Sequence, residues 1–231
     1  MKPFSSWLLP LLALAAPAAL GHADGHAPHP AAPTACCAPT EAGPAPAHAQ
    51  PDACCADAAT PADATPLSAR SLYQLDATWT DDAGQPFSLS QLRGRPVVLT
   101  LFFASCEYAC PILVAQMQRI REALPADVRD ATQFVLVSFD AARDTPEALH
   151  AYRERLGLTG ARWTLLHGDP ADVQELAMIL GVKYKEDTRG QFAHSNLITV
   201  LNRQGEIAHQ RAGLQGEITT ATRAVVAAAA Q

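Results

Sequence analysis

The sequence predicts an α/β domain with a mixed central sheet flanked by helices. From residue 67 onward, short apolar runs rich in β-branched residues alternate with stretches that carry helix-start and helix-stop signals. Alternation of this kind favours a largely parallel sheet with helices on both faces. Near the C-terminus, two strand-like runs are separated only by residues 202–205. This spacing indicates a closing antiparallel hairpin, which makes the sheet mixed.

The first predicted elements lead to a buried central strand. Residues 72–79 and 86–89 are predicted to form an N-terminal β-hairpin around a turn at 81–84. Residues 96–104 are continuously apolar, with β-branched and aromatic side chains, and predict a strand buried on both faces. A helix is predicted from about 110 to 124, because apolar residues recur along one side of that stretch.

The remaining elements complete a recognisable order. Residues 134–139 predict a second buried strand, and Asp144 and Thr145 before Pro146 predict the start of a helix. Residues 163–166 predict a third strand, and 169–180 a helix that Gly181 ends. Residues 196–201 and 206–210 predict the closing hairpin, and 216–230 a last Ala-rich helix. A βαβ unit followed by a further βα and a ββα ending is the thioredoxin arrangement.

The first residues of the chain predict export. Lys2 precedes an apolar run at 7–20, and this run is shorter than the about 20 residues that a membrane span needs. Gly21 and Ala23 supply the small residues of a cleavage site, and residues 16 and 18 offer an earlier one. Residues 1–23 are therefore predicted to be a signal peptide of a soluble, membrane-proximal protein of a bacterial periplasm. An uncleaved membrane anchor is the alternative.

Residues 24–66 are a low-complexity segment of Ala, Pro, His and Cys. The segment has almost no large apolar residue, so we predict that it is disordered and that residues 67–231 form the folded, thioredoxin-like domain. Its Ala-Cys-Cys-Ala sequence occurs twice, and tracts rich in Cys and His bind metals. The accessory metal ligands expected here are His26, His29, Cys36, Cys37, His48, Cys54 and Cys55. An inert linker is the alternative.

A more specific site depends on where the signal is cut. Cleavage after Ala23 leaves Asp24, Gly25 and His26 at the new N-terminus. Their amine, two backbone amides and imidazole form a square-planar nitrogen set that suits Cu(II).

The charge distribution excludes a nucleic-acid partner. The formal net charge is −6, and the Lys and Arg residues do not cluster anywhere in the sequence. Binding to DNA or RNA requires a basic patch or stripe. We therefore expect no nucleic-acid partner.

The chemistry is expected where the strand at 96–104 meets the following helix. Cys106 lies just after that strand and Cys110 at the start of the helix, a junction where ligands gather in α/β sheets. A helix N-terminus favours thiolate over thiol. The two sulfurs are close enough in sequence to form a disulfide or to bind one soft ion. A structural disulfide or a pair of buried thiols is the alternative, although so short a bridge constrains little chain.

Around these cysteines the sequence resembles the Sco/SenC family, over about residues 76–213. The resemblance is carried by FFASCEYACP at 102–111, VSFDAARDTPE at 137–147 and FAHS at 192–195. It implies a thioredoxin fold and a copper site of Cys106, Cys110 and His194. Asp140 matches the family's acidic residue near the site, with a helix-capping or loop carboxylate as the alternative. The chain departs from the family at 107–109, where many members carry Pro and Asp, and at Ala141, where Pro is usual.

The resemblance also implies a function. Family members help to assemble the CuA centre of cytochrome c oxidase, and some act as thiol-disulfide reductases. We therefore expect a periplasmic, non-enzymatic chaperone that holds Cu(I) or Cu(II) and delivers it to an oxidase subunit or another periplasmic copper protein. The alternative is a reductase in which Cys106 and Cys110 form the redox pair.

The donor set of this site agrees with copper. Two thiolates and an imidazole suit Cu(I) and, with a further weak ligand, Cu(II), whereas structural zinc prefers four ligands. Copper binding needs both sulfurs reduced, so a thiol reductant is an expected partner.

Overall fold

The computed structural model describes residues 66–160, 162–188, 190 and 192–231. Its centre is a seven-stranded sheet with strand order β2-β1-β5-β4-β3-β8-β9, and β6 and β7 form a separate two-stranded sheet. The strands are β1 Trp79–Asp81, β2 Pro86–Phe87, β3 Val97–Phe102, β4 Gln133–Ser138, β5 Trp163–Gly168, β6 Tyr184–Glu186, β7 Phe192–His194, β8 Leu197–Leu201 and β9 Ile207–Ala212. The helices are α1 Ala109–Ala123, α2 Ala126–Ala131, α3 Pro146–Arg155, α4 Pro170–Leu180 and α5 Thr219–Ala229, with 3₁₀ helices at Leu72–Gln74 and Leu89–Leu92.

The central sheet is mixed, as predicted. Strands β3, β4 and β5 are parallel to one another. Strands β1, β8 and β9 are each antiparallel to a neighbour. Every residue of β3 and β4 is buried. This explains why their sequences are almost continuously apolar and do not alternate between apolar and polar residues. The fold is thioredoxin-like.

Helices α3 and α4 begin, and α4 ends, where the sequence signals predict. The hydroxyl of Thr145 accepts a hydrogen bond from the Ala148 amide and caps α3. Asp169 caps α4 in the same way, and Gly181 ends that helix with a φ of 71°, a left-handed conformation that glycine adopts without strain. Helix α1 buries Leu113, Met117 and Ile120. These caps and buried faces fix the strand–helix junctions that surround the cysteines.

The first predicted strand is misplaced. Of residues 72–79 only Trp79 lies in a strand, the start of β1, because Leu72–Gln74 is a 3₁₀ helix capped by Ser71. Leu72 and Tyr73 are buried by this turn, and the Leu72 amide donates to the Gly205 carbonyl at 3.0 Å. The β-hairpin itself is confirmed by the pairing of β1 with β2. Strand β1 also pairs with β5, so the hairpin forms one edge of the central sheet.

Two elements were not predicted from the sequence. Helix α2 has no buried residue, and therefore leaves no apolar period in the sequence. The hairpin of β6 and β7, residues 184–194, is built from strands of three residues each. Strands this short lack the alternation by which strands are recognised.

The N-terminal predictions lie outside the described residues. This applies to the signal peptide at 1–23, to nearly all of the segment at 24–66, and to the accessory ligands His26, His29, Cys36, Cys37, His48, Cys54 and Cys55. Within the described part of the chain, no helix combines the length and apolar character that crossing a membrane requires.

Candidate metal centre

The two cysteines flank the junction of β3 and α1. Cys106 lies in the turn after β3, where its amide donates to the Phe103 carbonyl at 3.2 Å. Cys110 lies in the first turn of α1. Because the first amides of a helix have no partner within it, the Cys110 amide is free to donate to Cys106 Sγ, and does so at 3.3 Å. The helix start therefore supplies a donor to the first cysteine.

These contacts make Cys106 acidic. A hydrogen bond from the Cys110 thiol, together with the backbone amides of Cys110, Tyr108 and Ala109, outweighs the opposing effect of burial and lowers the pKa of Cys106 to about 5. The Cys106 side chain is only partly buried. At neutral pH it is therefore a thiolate that solvent and partner molecules can reach.

Cys110 has the opposite character. It is fully buried, and its hydrogen bond to Cys106, together with burial, raises the pKa of Cys110 far above the ordinary thiol value. Negative charge on Cys106 and Asp144 raises it further. The pair thus consists of one accessible thiolate and one protected thiol.

The structure brings His194 to the same place. His194 ends β7, and its Nε2 lies 3.8 Å from Cys110 Sγ. Its Nδ1 lies 3.1 Å from the Ser195 carbonyl. Because a carbonyl only accepts hydrogen bonds, Nδ1 carries the proton and Nε2 offers its lone pair to the site. A backbone carbonyl on the far nitrogen is the usual way of orienting a ligating imidazole.

Aromatic rings hold the imidazole in its orientation. The ring of Phe139 lies 5.1 Å from the His194 ring, and that of Phe103 lies 5.9 Å away, edge to face. A cavity of about 500 Å³ opens beside them and is lined by Cys106, His194 and Tyr108 among others. Tyr108 is 71% exposed at its rim. The site is apolar on its inner side and open on its outer side.

The three side chains form a soft donor set. The ligand atoms of Cys106, Cys110 and His194 all lie within 4.8 Å of one another. Among the residues that the structure describes, this is the one group of three or more His, Cys, Asp or Glu ligands so close together. Two sulfurs and one imidazole nitrogen are donors that fit copper, and the number of ligands is too small for closed structural zinc.

Asp140 is not among the clustered ligands and is paired with Arg143 instead. It is 3% exposed, and its carboxylate accepts hydrogen bonds from the side-chain Nε and the backbone amide of Arg143. It follows Phe139, whose ring packs on His194. The predicted acid therefore forms an ion pair with Arg143, and its neighbour Phe139 makes the contact with His194.

A second buried acid was missed by the sequence reasoning. The carboxylate of Asp144 accepts a hydrogen bond from the Ala104 amide at 2.8 Å and another from the Ser138 hydroxyl. Burial raises the pKa of Asp144 above the usual value for an aspartate. Its place just before Thr145 and Pro146 suggested only the start of a helix. Nothing in the local sequence indicates its contact with Ala104, in the loop before Cys106.

Fold and site together define a class of protein. A thioredoxin-like domain carries two cysteines at a strand–helix junction and a histidine on a separate hairpin, and their ligand atoms converge at one place. The sequence model of the SCO1/SenC family matches residues 68–229. The chain belongs to this family.

Individual relatives agree with this membership. The "Putative copper-binding protein" of Stutzerimonas stutzeri is 33% identical over 153 residues, which cover 63% of this chain and 72% of that protein. Copper-bound ScoI of Bradyrhizobium japonicum superposes with a TM-score of 0.53 at 21% identity, covering 65% of this chain and 96% of that one. BsSco, a member of the Sco family of cytochrome c oxidase assembly proteins, superposes with a TM-score of 0.59 at 19% identity, covering 68% and 94%.

Proposed function

We propose that this chain is an exported copper chaperone. It holds copper as Cu(I) or Cu(II) between Cys106, Cys110 and His194 and delivers the ion to the CuA-type site of an oxidase subunit. The observation that carries the proposal is the convergence of two sulfurs and one imidazole nitrogen within 4.8 Å. The signal-like residues 1–23 support an exported location.

The geometry suits a carrier better than a store. One ligand, Cys106, is partly exposed at an open cavity, whereas Cys110 is buried. An incoming ligand from a recipient therefore approaches the ion from the side of Cys106 while Cys110 and His194 still hold it. Two relatives agree with this proposal, since one was solved with copper bound and the other belongs to a family of oxidase assembly proteins.

Copper affinity tests the ligand set. We expect His194→Ala to weaken Cu(I) binding by about 10-fold or more in competition with a chromophoric chelator, because one donor of three is lost. The matched control is His209→Ala, which removes an imidazole from β9 at the sheet edge and should leave the affinity unchanged. Unchanged affinity in His194→Ala would contradict the ligand assignment.

Delivery needs its own test. Protein loaded with equal amounts of Cu(I) and Cu(II), mixed with the reduced, metal-free CuA domain of an oxidase subunit, should generate the purple absorption of the mixed-valence CuA centre. The His209→Ala control, loaded in the same way, should do so at the same rate. No absorption from a fully loaded sample would reject the oxidase as recipient and leave the copper site standing.

The asymmetry of the cysteines favours a second candidate function, thiol-disulfide reduction. The Cys106 thiolate attacks a partner disulfide, forms a mixed disulfide and expels one partner thiolate, which takes up a proton. Cys110 then loses its proton, attacks Cys106 Sγ and releases the second partner thiol, which leaves a Cys106–Cys110 disulfide. An external thiol reductant must regenerate the dithiol.

His194 separates the two functions. Disulfide exchange uses the two sulfurs alone, so His194→Ala should reduce a model disulfide at the rate of the unsubstituted protein. Cys106→Ala should abolish that activity. A loss of exchange in His194→Ala would show that the imidazole takes part in thiol chemistry.

A further inference from the structure

The β6–β7 hairpin is not held by the central sheet. Its two strands pair only with each other. At its base the Ser195 amide donates to the Lys183 carbonyl, and the Lys183 amide donates to the Ser195 hydroxyl. The position of His194 relative to the cysteines is therefore set by the short link to β8, which begins at Leu197, and by side-chain contacts between the hairpin and the rest of the domain.

Most of these contacts are apolar and weakly directional. The ring of Phe139 stacks on Tyr184 at 5.0 Å and meets Phe192 at 5.0 Å. Phe103 lies 5.3 Å from Phe192. Such contacts bury the hairpin's inner face, but ring contacts tolerate small sliding movements. They do not by themselves fix the imidazole to within a fraction of an ångström.

Arg143 supplies the directional contacts. Its Nε donates to the buried carboxylate of Asp140, and its Nη2 donates to the Gly190 carbonyl at the tip of the hairpin. The same guanidinium lies 3.7 Å from the Glu186 carboxylate on β6 and 5.6 Å from the centre of the Phe192 ring on β7. One planar group thus contacts both strands and the turn.

Gly190 leaves room for this arginine. Gly190 has a φ of +73°, and a Cβ at that position would lie 2.7 Å from Arg143 Nη1. Only glycine combines that backbone conformation with room for the guanidinium. The anchoring end is rigid as well, because Asp140 is 3% exposed and Arg143 follows it within one turn of backbone.

We propose that Arg143 is a positioning residue for His194. It ties the β6–β7 hairpin to the loop between β4 and α3 and so sets the distance between the imidazole and the two sulfurs. The inference rests on the proposed function in one respect, since it takes His194 to be a copper ligand. Arg143 is not itself one of the three clustered ligands.

A double-mutant cycle tests this role. Arg143→Gln should weaken Cu(I) binding by about 10-fold or more, the range seen when groups that orient a metal ligand are removed. In a His194→Ala background the same substitution should change the affinity by less than about twofold, because the ligand that it positions is gone. In the Cu(II)-loaded protein, Arg143→Gln should also reduce the imidazole nitrogen coupling in the EPR spectrum.

Arg153 provides a matched control. It pairs with the buried Asp82 and donates to the Trp163 carbonyl, so it combines the same two contacts away from the hairpin. Arg153→Gln should lower the melting temperature and leave copper affinity unchanged. Equal losses from Arg143→Gln with and without His194, or no loss at all, would overturn the positioning role.

A conservative variant covers the case in which Arg143→Gln does not fold. Arg143→Lys keeps a cation beside Asp140, but an ammonium does not present the planar fork that spans Asp140 and Gly190. We expect it to fold and to bind Cu(I) more weakly than the unsubstituted protein. If Arg143→Lys binds Cu(I) with full affinity, the contact between Arg143 and Gly190 is not what positions His194, and the proposal is overturned. If His194→Ala itself binds copper normally, the proposed ligand set fails, and the positioning role fails with it.

Discussion

The difference in acidity between two neighbouring thiols is the main chemical property at the scale of single residues. Because the pKa of Cys106 is lowered to about 5, its alkylation by iodoacetamide should reach half of its maximal rate near pH 5 and level off above about pH 7. The folded-state pKa lies below that of the unfolded thiol, so thiolate formation stabilises the fold. This contribution is complete at alkaline pH and is lost as the pH falls through about 5.

Cys110 provides the control for this prediction. Its thiol makes the largest contribution to lowering the pKa of Cys106, so Cys110→Ala should move the midpoint of alkylation to higher pH. Mass-spectrometric counting of labelled cysteines after timed quenching measures both variants. A midpoint above pH 8 in the unsubstituted protein would show that the helix start does not stabilise the thiolate.

The sequence is informative about these cysteines and much less about their partners. A strand followed at once by a helix start places Cys106 and Cys110 in known surroundings, so their chemistry follows from local rules. His194 lies 84 residues from Cys110, and no local rule joins them, so its assignment depended on the family resemblance. Arg143 was hidden for a similar reason, since its contact with Gly190 spans 47 residues.

Asp144 connects two loops at the scale of secondary-structure elements. It accepts from Ala104, in the loop after β3, and from Ser138, at the end of β4. Asp144→Ala leaves two buried donors without a partner and should destabilise the fold by about 2–4 kcal/mol. Asp144→Asn keeps an acceptor and should cost less. Urea denaturation of the three proteins measures the differences.

The neighbouring residue gives a comparison for this prediction. Thr145→Ala removes only the cap of α3 and should cost about 1 kcal/mol. It should also leave the reactivity of Cys106 unchanged, whereas Asp144→Ala should alter it by loosening the loop that carries this cysteine. Equal costs for the two alanine variants would contradict the linking role of Asp144.

The elements that sequence reasoning found are those whose burial repeats along the chain. Strands β3 and β4 and helices α1 and α4 bury a continuous or periodic set of side chains. The segment at 72–74 misled it, because a 3₁₀ turn buries Leu72 and Tyr73 without extending the chain. The β6–β7 hairpin was not predicted, because strands of three residues are too short to show an alternation of apolar and polar residues.

At the scale of the whole molecule, the segment at 24–66 predicts additional copper capacity. If its paired cysteines and its histidines bind metal, the reduced full-length protein should bind more Cu(I) per chain than a form without residues 24–66. A matched variant with Cys36, Cys37, Cys54 and Cys55 changed to Ser should fall to the value of the truncated form. Equal stoichiometry in all three would identify the segment as an inert linker.

The position of signal cleavage determines whether a separate Cu(II) site exists at the new N-terminus. If residues 1–23 are an export signal that is cut after Ala23, as proposed, intact-mass measurement of the exported chain should give a protein that starts at Asp24. A different first residue would remove the Cu(II) site at Asp24, Gly25 and His26, because the free amine is one of its donors.

The placement of His194 on its own hairpin has a mechanical consequence. A Cys106–Cys110 disulfide joins residues four apart, whereas an ion shared with His194 joins residues 84 apart. Copper that binds the folded state alone adds stability through mass action, because the ion links residues that only folding brings together. A disulfide that closes so short a loop restricts the unfolded chain little. The copper-loaded protein should therefore resist heat and proteases better than the oxidised protein, although the same two sulfurs are engaged in both.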